Sequence, residues 1–267
     1  IVRSSNYELY ADLSMRFANI LAEYSPNMHV YSIDEVFLDL TGQRNLLQLG
    51  ADIRRRVWTE LRLPVCVGIG QSLTLAKVAN HSAKKSQVYR GVCLIDNDEQ
   101  RKHLLSLLAT EDVWGVGSRT AKRLKLFNID TALALANWQP HFAKANFSIE
   151  VERIVRELNG EPMKEWDHVR ADKQQIFSTR SFGERVTDRE SLHQALVKHC
   201  GIAAKKARDQ GSVCHQLIAF AASSPFSERY RSFKILHRFD MPTNDTIVIA
   251  KAVTDNMSKL FEVDVPY

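Results

Sequence analysis

The residues best placed to do chemistry are two adjacent carboxylates, Asp34 and Glu35, in the run Tyr31-Ser32-Ile33-Asp34-Glu35-Val36-Phe37-Leu38-Asp39-Leu40-Thr41-Gly42. Apolar stretches flank them, His29 to Ile33 and Val36 to Leu40. Both are rich in the β-branched and aromatic residues that suit a pleated, half-buried surface. Two strands with the pair at their junction are expected. Side-chain alternation relaxes at a turn, so neighbouring carboxylates can face the same way. Two anions side by side on a buried platform require a cation between them. Mg²⁺ suits them, because it takes carboxylate oxygens and keeps water or phosphate oxygens as its other ligands. The competing reading is an ordinary solvated turn, which favours Asp on its own account.

The elements around this pair follow from hydrophobic spacing. Leu9, Tyr10, Leu13, Phe17, Ile20 and Leu21 recur at a helical period between Tyr7 and Tyr24, and Pro26 ends that helix. Residues Leu46 to Leu61 form a second helical pattern, with Arg54, Arg55 and Arg56 turned to solvent. Val65 to Ile69 is a wholly apolar run, expected as a buried strand. A helix from Leu73 to Ala83 follows, packing through Leu75, Val78, Ala79 and Ser82 and aligning Lys77 and Lys84 on another side about two turns apart. Gly91 to Asp96 is expected as a returning strand.

From about Asn97 to His168 the pattern is all helical. Its centre is Asp112-Val113-Trp114-Gly115-Val116-Gly117-Ser118-Arg119-Thr120-Ala121-Lys122-Arg123-Leu124. A Gly-x-Gly hinge turns the chain sharply and bares amides at the start of the next helix, an anion site beside Arg119, Lys122 and Arg123. A plain turn between helices is the alternative. Beyond Lys173 a strand (Ile176 to Phe182), a helix capped by the box Thr187-Asp188-Arg189-Glu190, two strands (Val213 to Ala222, Arg231 to Phe239) and a helix capped by Thr243 or Asn244 are expected. The first of these helices should turn Leu192, Leu196, Ile202 and Ala203 inward.

Composition narrows the class. The 267 residues are 45% hydrophobic and 25% charged, ordinary for a soluble globular protein of two or three small domains. No stretch approaches a membrane span and no signal peptide opens the chain. Cys66, Cys93, Cys200 and Cys214 lack the spacing of a zinc site, which fits a reduced compartment and core thiols. Net charge is +5, and residues 171–240 carry 12 basic against 7 acidic groups while residues 1–100 balance at 11 each. A polyanion gripped away from the carboxylate pair would produce this distribution.

Ser32-Ile33-Asp34-Glu35-Val36-Phe37-Leu38-Asp39 resembles the second carboxylate motif of the Y-family translesion DNA polymerases, and Asn6-Tyr7-Glu8-Leu9-Tyr10-Ala11-Asp12 is similar to their UmuC branch. Leu75-Ala76-Lys77-Val78-Ala79 with Ala83-Lys84 resembles the family's lysine helix, and the Gly115-Val116-Gly117 region its helix-hairpin-helix. Arg180-Ser181-Phe182-Gly183-Glu184 looks like the opening strand of its little finger.

The resemblance implies a multidomain α+β fold. A partial palm with a remnant of the fingers would occupy 1–96, a helical thumb 97–168, a linker 169–174 and a β-α-β-β-α little finger lacking its last strand 175–267. It implies error-prone template-directed DNA synthesis in bacterial SOS mutagenesis, with a template-primer and dNTPs as substrates and two Mg²⁺ ions. Asp34 would bridge the two ions, Glu35 would ligate the primer-side ion, and Lys84 would meet the nucleotide phosphates. Gly115, Gly117, Arg119, Lys122 and Arg180 would hold DNA. Partners implied are a UmuD-type subunit, RecA and the sliding clamp, in the bacterial cytoplasm at the nucleoid and away from membranes. Clamp binding by Leu260-Phe261 is not expected, since the run lacks a glutamine.

The chain opens at Ile1 inside a helical pattern and is expected to be a fragment. The family's third carboxylate, an Asp in an N-terminal strand, is absent from the sequence, so little activity is expected of these residues alone. Two rival readings are a DNA-binding fragment without catalysis and a nucleotide cyclase. The cyclase pattern wants Gly-Gly before its acidic pair, where Ser32-Ile33 stands here.

Overall fold

The structure, a computed structural model, describes residues 5–164 and 173–267. Its contacts divide the chain into two units, 1–169 and 170–267, each with a core of its own.

The first unit begins with α1 (Tyr7–Ala22), capped by the Asn6 side chain, which accepts the Leu9 N–H at 3.1 Å. The carboxylate hairpin follows as β1 (Met28–Val30) and β2 (Val36–Leu38), antiparallel, with Met28 opposite Leu38 and Val30 opposite Val36. Both strands are shorter than expected, because residues 31–35 close the turn themselves. The Tyr31 and Ser32 amides both donate to the Glu35 carbonyl, at 3.0 and 3.1 Å. Helix α2 (Leu46–Leu61) packs Ile53 and Val57 with Ile20 and Leu21 of α1 into a small core under this hairpin.

Strands β3 (Val67–Ile69) and β4 (Val92–Leu94) form a separate parallel pair, connected through α3 (Leu73–Lys85). A parallel pair needs such a crossover. Helix α3 lies close on β3 because Gly68 has no side chain: a Cβ there would sit 2.1 Å from the Asn80 nitrogen. The helical region comprises α4 (Asp98–Leu107), α5 (Ser118–Lys125), α6 (Ala132–Ala136), α7 (Pro140–Asn146) and α8 (Ile149–Leu158). These helices share one core with α3 and β4, so Leu75 and Cys93 are buried with Leu124 and Ile154. The arm entering the Gly115 hairpin is a single 3₁₀ turn, Thr110–Asp112, where a full helix was expected.

The second unit packs α9 (Arg189–Asp209), α10 (Thr246–Thr254) and α11 (Met257–Leu260) against an antiparallel pair, β5 (Cys214–Ala222) and β6 (Ser232–Thr243). The strand expected over Ile176 to Phe182 does not form. That segment spends its polar groups on α9 instead: the Phe177 carbonyl accepts from Lys206 Nζ at 3.0 Å, and Ser178 Oγ lies 2.8 Å from His199 Nδ1. The helix caps also shift. Asp188, one residue past Thr187, accepts the Ser191 N–H at 2.7 Å and caps α9. Asp245, not Thr243 or Asn244, caps α10. On α9 the buried stripe is Leu192, Cys200, Ala204 and Ala207, and Ile202 is exposed. At the end of the chain Tyr267 exchanges both backbone hydrogen bonds with Val186.

Candidate active site

Asp34 and Glu35 share the β1–β2 turn and have different surroundings. Asp34 is exposed, and its carboxylate accepts the Ser32 hydroxyl at 2.8 Å. Glu35 is half-buried and forms an ion pair with Lys77 of α3, whose side chain is 23% exposed against 26% for Glu35. Lys77 is thereby tied to the carboxylates, a link that local spacing does not reveal. Asp39, at the far end of β2, is engaged elsewhere: the Thr41 hydroxyl and amide hold its carboxyl below the usual range.

An aromatic cluster fixes the turn. Tyr31, Phe37 and Trp114 meet with ring centroids 5.5 to 5.8 Å apart. Trp114 Nε1 donates to Tyr31 Oη at 3.2 Å, and Lys77 Nζ stands 5.9 Å from the Tyr31 ring centre. Lys164 Nζ lies 4.0 Å from the centre of the Trp114 ring, and burial pulls its ammonium below the usual lysine range. Trp114 directly precedes Gly115, so one side chain joins the carboxylate turn to the glycine hairpin.

At that hairpin Gly115 adopts φ +90°, a conformation side-chain-bearing residues avoid, and an added Cβ would meet Ile154 Cδ1 at 3.1 Å. Gly117 is the N-cap of α5 and offers no side chain to its first-turn amides. Arg119 and Lys122 are exposed, with no ion-pair partner among the described residues. Arg123 is occupied: it donates to the Asn146 carbonyl at 2.7 Å and lies 4.4 Å over the Phe147 ring. Lys84 is exposed in the last turn of α3, where a helix dipole also favours lysine. It lies about 10 Å along the axis from Lys77. Between them Asn80 has a buried Oδ1 with no hydrogen-bond partner among the described residues.

Arg180, in the second unit, lines a concavity of about 490 Å³ with Lys198, His199 and Lys206. Burial, and after it Lys198, Arg180 and Lys206, hold the His199 imidazole below its ordinary value. A concavity of about 520 Å³ in the first unit, lined by Arg54, Arg55, Trp58 and Tyr89, contains none of the expected site residues.

The sequence model of the impB/mucB/samB family matches residues 1–81, and that of its C-terminal domain matches residues 173–267. The chain belongs to the impB/mucB/samB family, the UmuC branch of the Y-family DNA polymerases. Protein UmuC of Salmonella typhimurium is 42% identical over 97% of this chain and 63% of its own length. Protein MucB of Escherichia coli is 35% identical over 99% of this chain and 64% of its own. The chain thus spans a little under two thirds of these family members. Among solved structures, a Y-family DNA polymerase chimera superposes with a TM-score of 0.66 at 18% identity, covering 95% of this chain and 71% of that one. An insertion ternary complex of Dbh DNA polymerase gives 0.51 at 17% identity, over 98% and 74%.

The donor set fits a hard divalent cation in one respect. Adjacent carboxylates supply oxygen ligands, and one of them already holds a cation, the Lys77 ammonium. No cluster of three or more acidic, His or Cys ligands occurs among the described residues, so these two carboxylates are an incomplete set for two ions. No helix among the described residues is long and apolar enough to cross a membrane.

Proposed function

We propose that this chain carries the second carboxylate motif and the DNA-holding elements of an error-prone translesion DNA polymerase. The observation that carries this reading is the Asp34–Glu35 turn, met from the side by the lysine helix α3 through Lys77. In the reaction the primer 3′-hydroxyl attacks the α-phosphorus of a dNTP, and pyrophosphate leaves. Held at this turn, Mg²⁺ ions would supply Lewis acidity that eases loss of the 3′-hydroxyl proton and offsets triphosphate charge. Asp34 and Glu35 would hold them. A third carboxylate would have to come from outside the described residues.

Lys84, exposed, a turn beyond Asn80 and without an ion-pair partner among the described residues, would meet the nucleotide phosphates. The uncapped amides after Gly117, with Arg119 and Lys122, would take phosphates of the duplex. That contact grips DNA without reading its sequence. Arg180 and its basic neighbours would hold a further stretch of backbone. In this reading residues 1–96 are palm, 97–168 thumb and 175–267 little finger, and the partners are a UmuD-type subunit, RecA and the sliding clamp. A second reading, DNA binding without catalysis, is favoured by the two-carboxylate donor set.

Primer extension with Mg²⁺ and four dNTPs separates them. It should be run on this chain and on a version preceded by the family's N-terminal strand motif, each with and without Asp34→Ala. Extension by the longer version, lost in its Asp34→Ala form, supports the polymerase site. Salt-dependent duplex binding with no extension by any version supports the binding reading.

A further inference from the structure

Lys77 and Glu35 come from elements 42 residues apart, and both side chains are about three-quarters buried. This is not a chance surface pair. Among the described residues, of the two neighbouring carboxylates only Glu35 has a cationic partner; Asp34 accepts from Ser32 in its own turn. From that same position the ammonium also lies 5.9 Å from the centre of the Tyr31 ring. That is at the outer reach of a cation–π contact. The Tyr31 ring, nearly half exposed, is held from one side: Trp114 Nε1 donates to its hydroxyl at 3.2 Å, and Phe37 and Trp114 flank it.

A lysine has three donors and no acceptor, so it cannot share in ligating a metal. It competes with one for the same Glu35 oxygens. Resting on the reading of Asp34 and Glu35 as a metal-binding pair, we propose that Lys77 is the resident counter-cation of Glu35. It swings toward the Tyr31 face to release that carboxylate when a divalent cation binds. In the metal-free protein Lys77 removes the repulsion between adjacent anions, and in exchange it weakens cation affinity. Tyr31, fixed by Trp114, sets how far the displaced ammonium travels. Lys77 is a positioning residue here, acting through Glu35.

Mn²⁺ binding to the chain without DNA or nucleotide tests this, followed by the loss of the free-ion electron paramagnetic resonance signal. Lys77→Met should bind Mn²⁺ about fivefold tighter or more, as removal of a facing positive charge requires. Lys77→Arg should show no gain, and adding Glu35→Gln to Lys77→Met should cancel it. A lysine that merely braced the turn would give the opposite sign, weaker binding on removal. Unchanged or weaker binding by Lys77→Met, with Asp34→Asn still abolishing it, overturns the counter-cation proposal and leaves the metal pair standing. Mn²⁺ binding indifferent to both Asp34→Asn and Glu35→Gln, or absent from the parent chain, removes the metal pair and this proposal together. Should Lys77→Met fail to fold, Lys77→Gln keeps a donor for Glu35, drops the charge and reads the same way.

Discussion

Two glutamates in the first unit are treated in opposite ways. Glu157, near the end of α8, is fully buried and saturated. Its carboxylate accepts the Thr74 amide at 2.8 Å, the Thr74 hydroxyl at 2.6 Å, and the Met163 and Lys164 amides at 3.1 and 2.8 Å. Its own carbonyl accepts the Ser72 hydroxyl at 2.7 Å. Four donors at the start of α3 and beyond α8 leave it nothing to offer a ligand. Glu35 is about a quarter exposed, stands beside a second carboxylate and holds one cation, the Lys77 ammonium. Burial with full satisfaction marks a group that holds a fold together. Burial with an exchangeable partner marks one that can bind something else.

The largest effect should come from breaking the saturated side. Glu157→Ala strands three backbone amides and a hydroxyl, and should cost about 3 kcal/mol or more in urea denaturation. Glu35→Ala, which leaves the mostly buried Lys77 ammonium without its partner, should cost less, about 1 to 2 kcal/mol. Equal losses would erase the distinction. Next comes Gly115→Ala, where positive φ and the Ile154 contact should cost about 1 to 2 kcal/mol and loosen duplex binding. Then Lys122→Ala should reduce the salt dependence of duplex binding by roughly 0.9 in log–log slope, the loss of one phosphate contact, with stability unchanged.

The smallest effect concerns the buried thiols. Burial pushes Cys93 and Cys200 up to about 11. The folded chain keeps those protons where the unfolded chain loses them. Stability is therefore unaffected below the ordinary thiol value and falls as pH rises from there toward 11. Between pH 8 and pH 9 the loss should be a few tenths of a kcal/mol per thiol, absent in Cys93→Ala.

Much of the exchangeable side was legible in the sequence. The Asp34-Glu35 junction, the span of α2 and Leu75, Val78 and Ala79 of the α3 core face follow from local periodicity, and the structure places them accordingly. Arg54 and Arg56, expected in solvent, instead bond the Val65 carbonyl and pair with Glu23 and Glu60, respectively, and Ala83 rather than Ser82 is buried on α3. Glu157 was invisible, because its partner Thr74 lies 83 residues away and no local pattern announces a cap supplied from another helix. The same separation hides the Trp114–Tyr31 bond. The Ile176 to Phe182 strand failed for a related reason. Its spacing suits a strand, but pairing depends on what lies beside it, and its polar groups meet α9. The cap of α9 moved by one residue because Thr187 and Asp188 are both good caps, and only the geometry of the first turn chooses between them.

The most direct test of the account is single-nucleotide incorporation by Glu35→Gln in the version carrying the N-terminal strand motif, with its urea midpoint measured alongside. The account predicts a loss of at least about a hundredfold in rate with an unchanged midpoint. Incorporation at the parent rate, or a loss matched by a lowered midpoint, would contradict it.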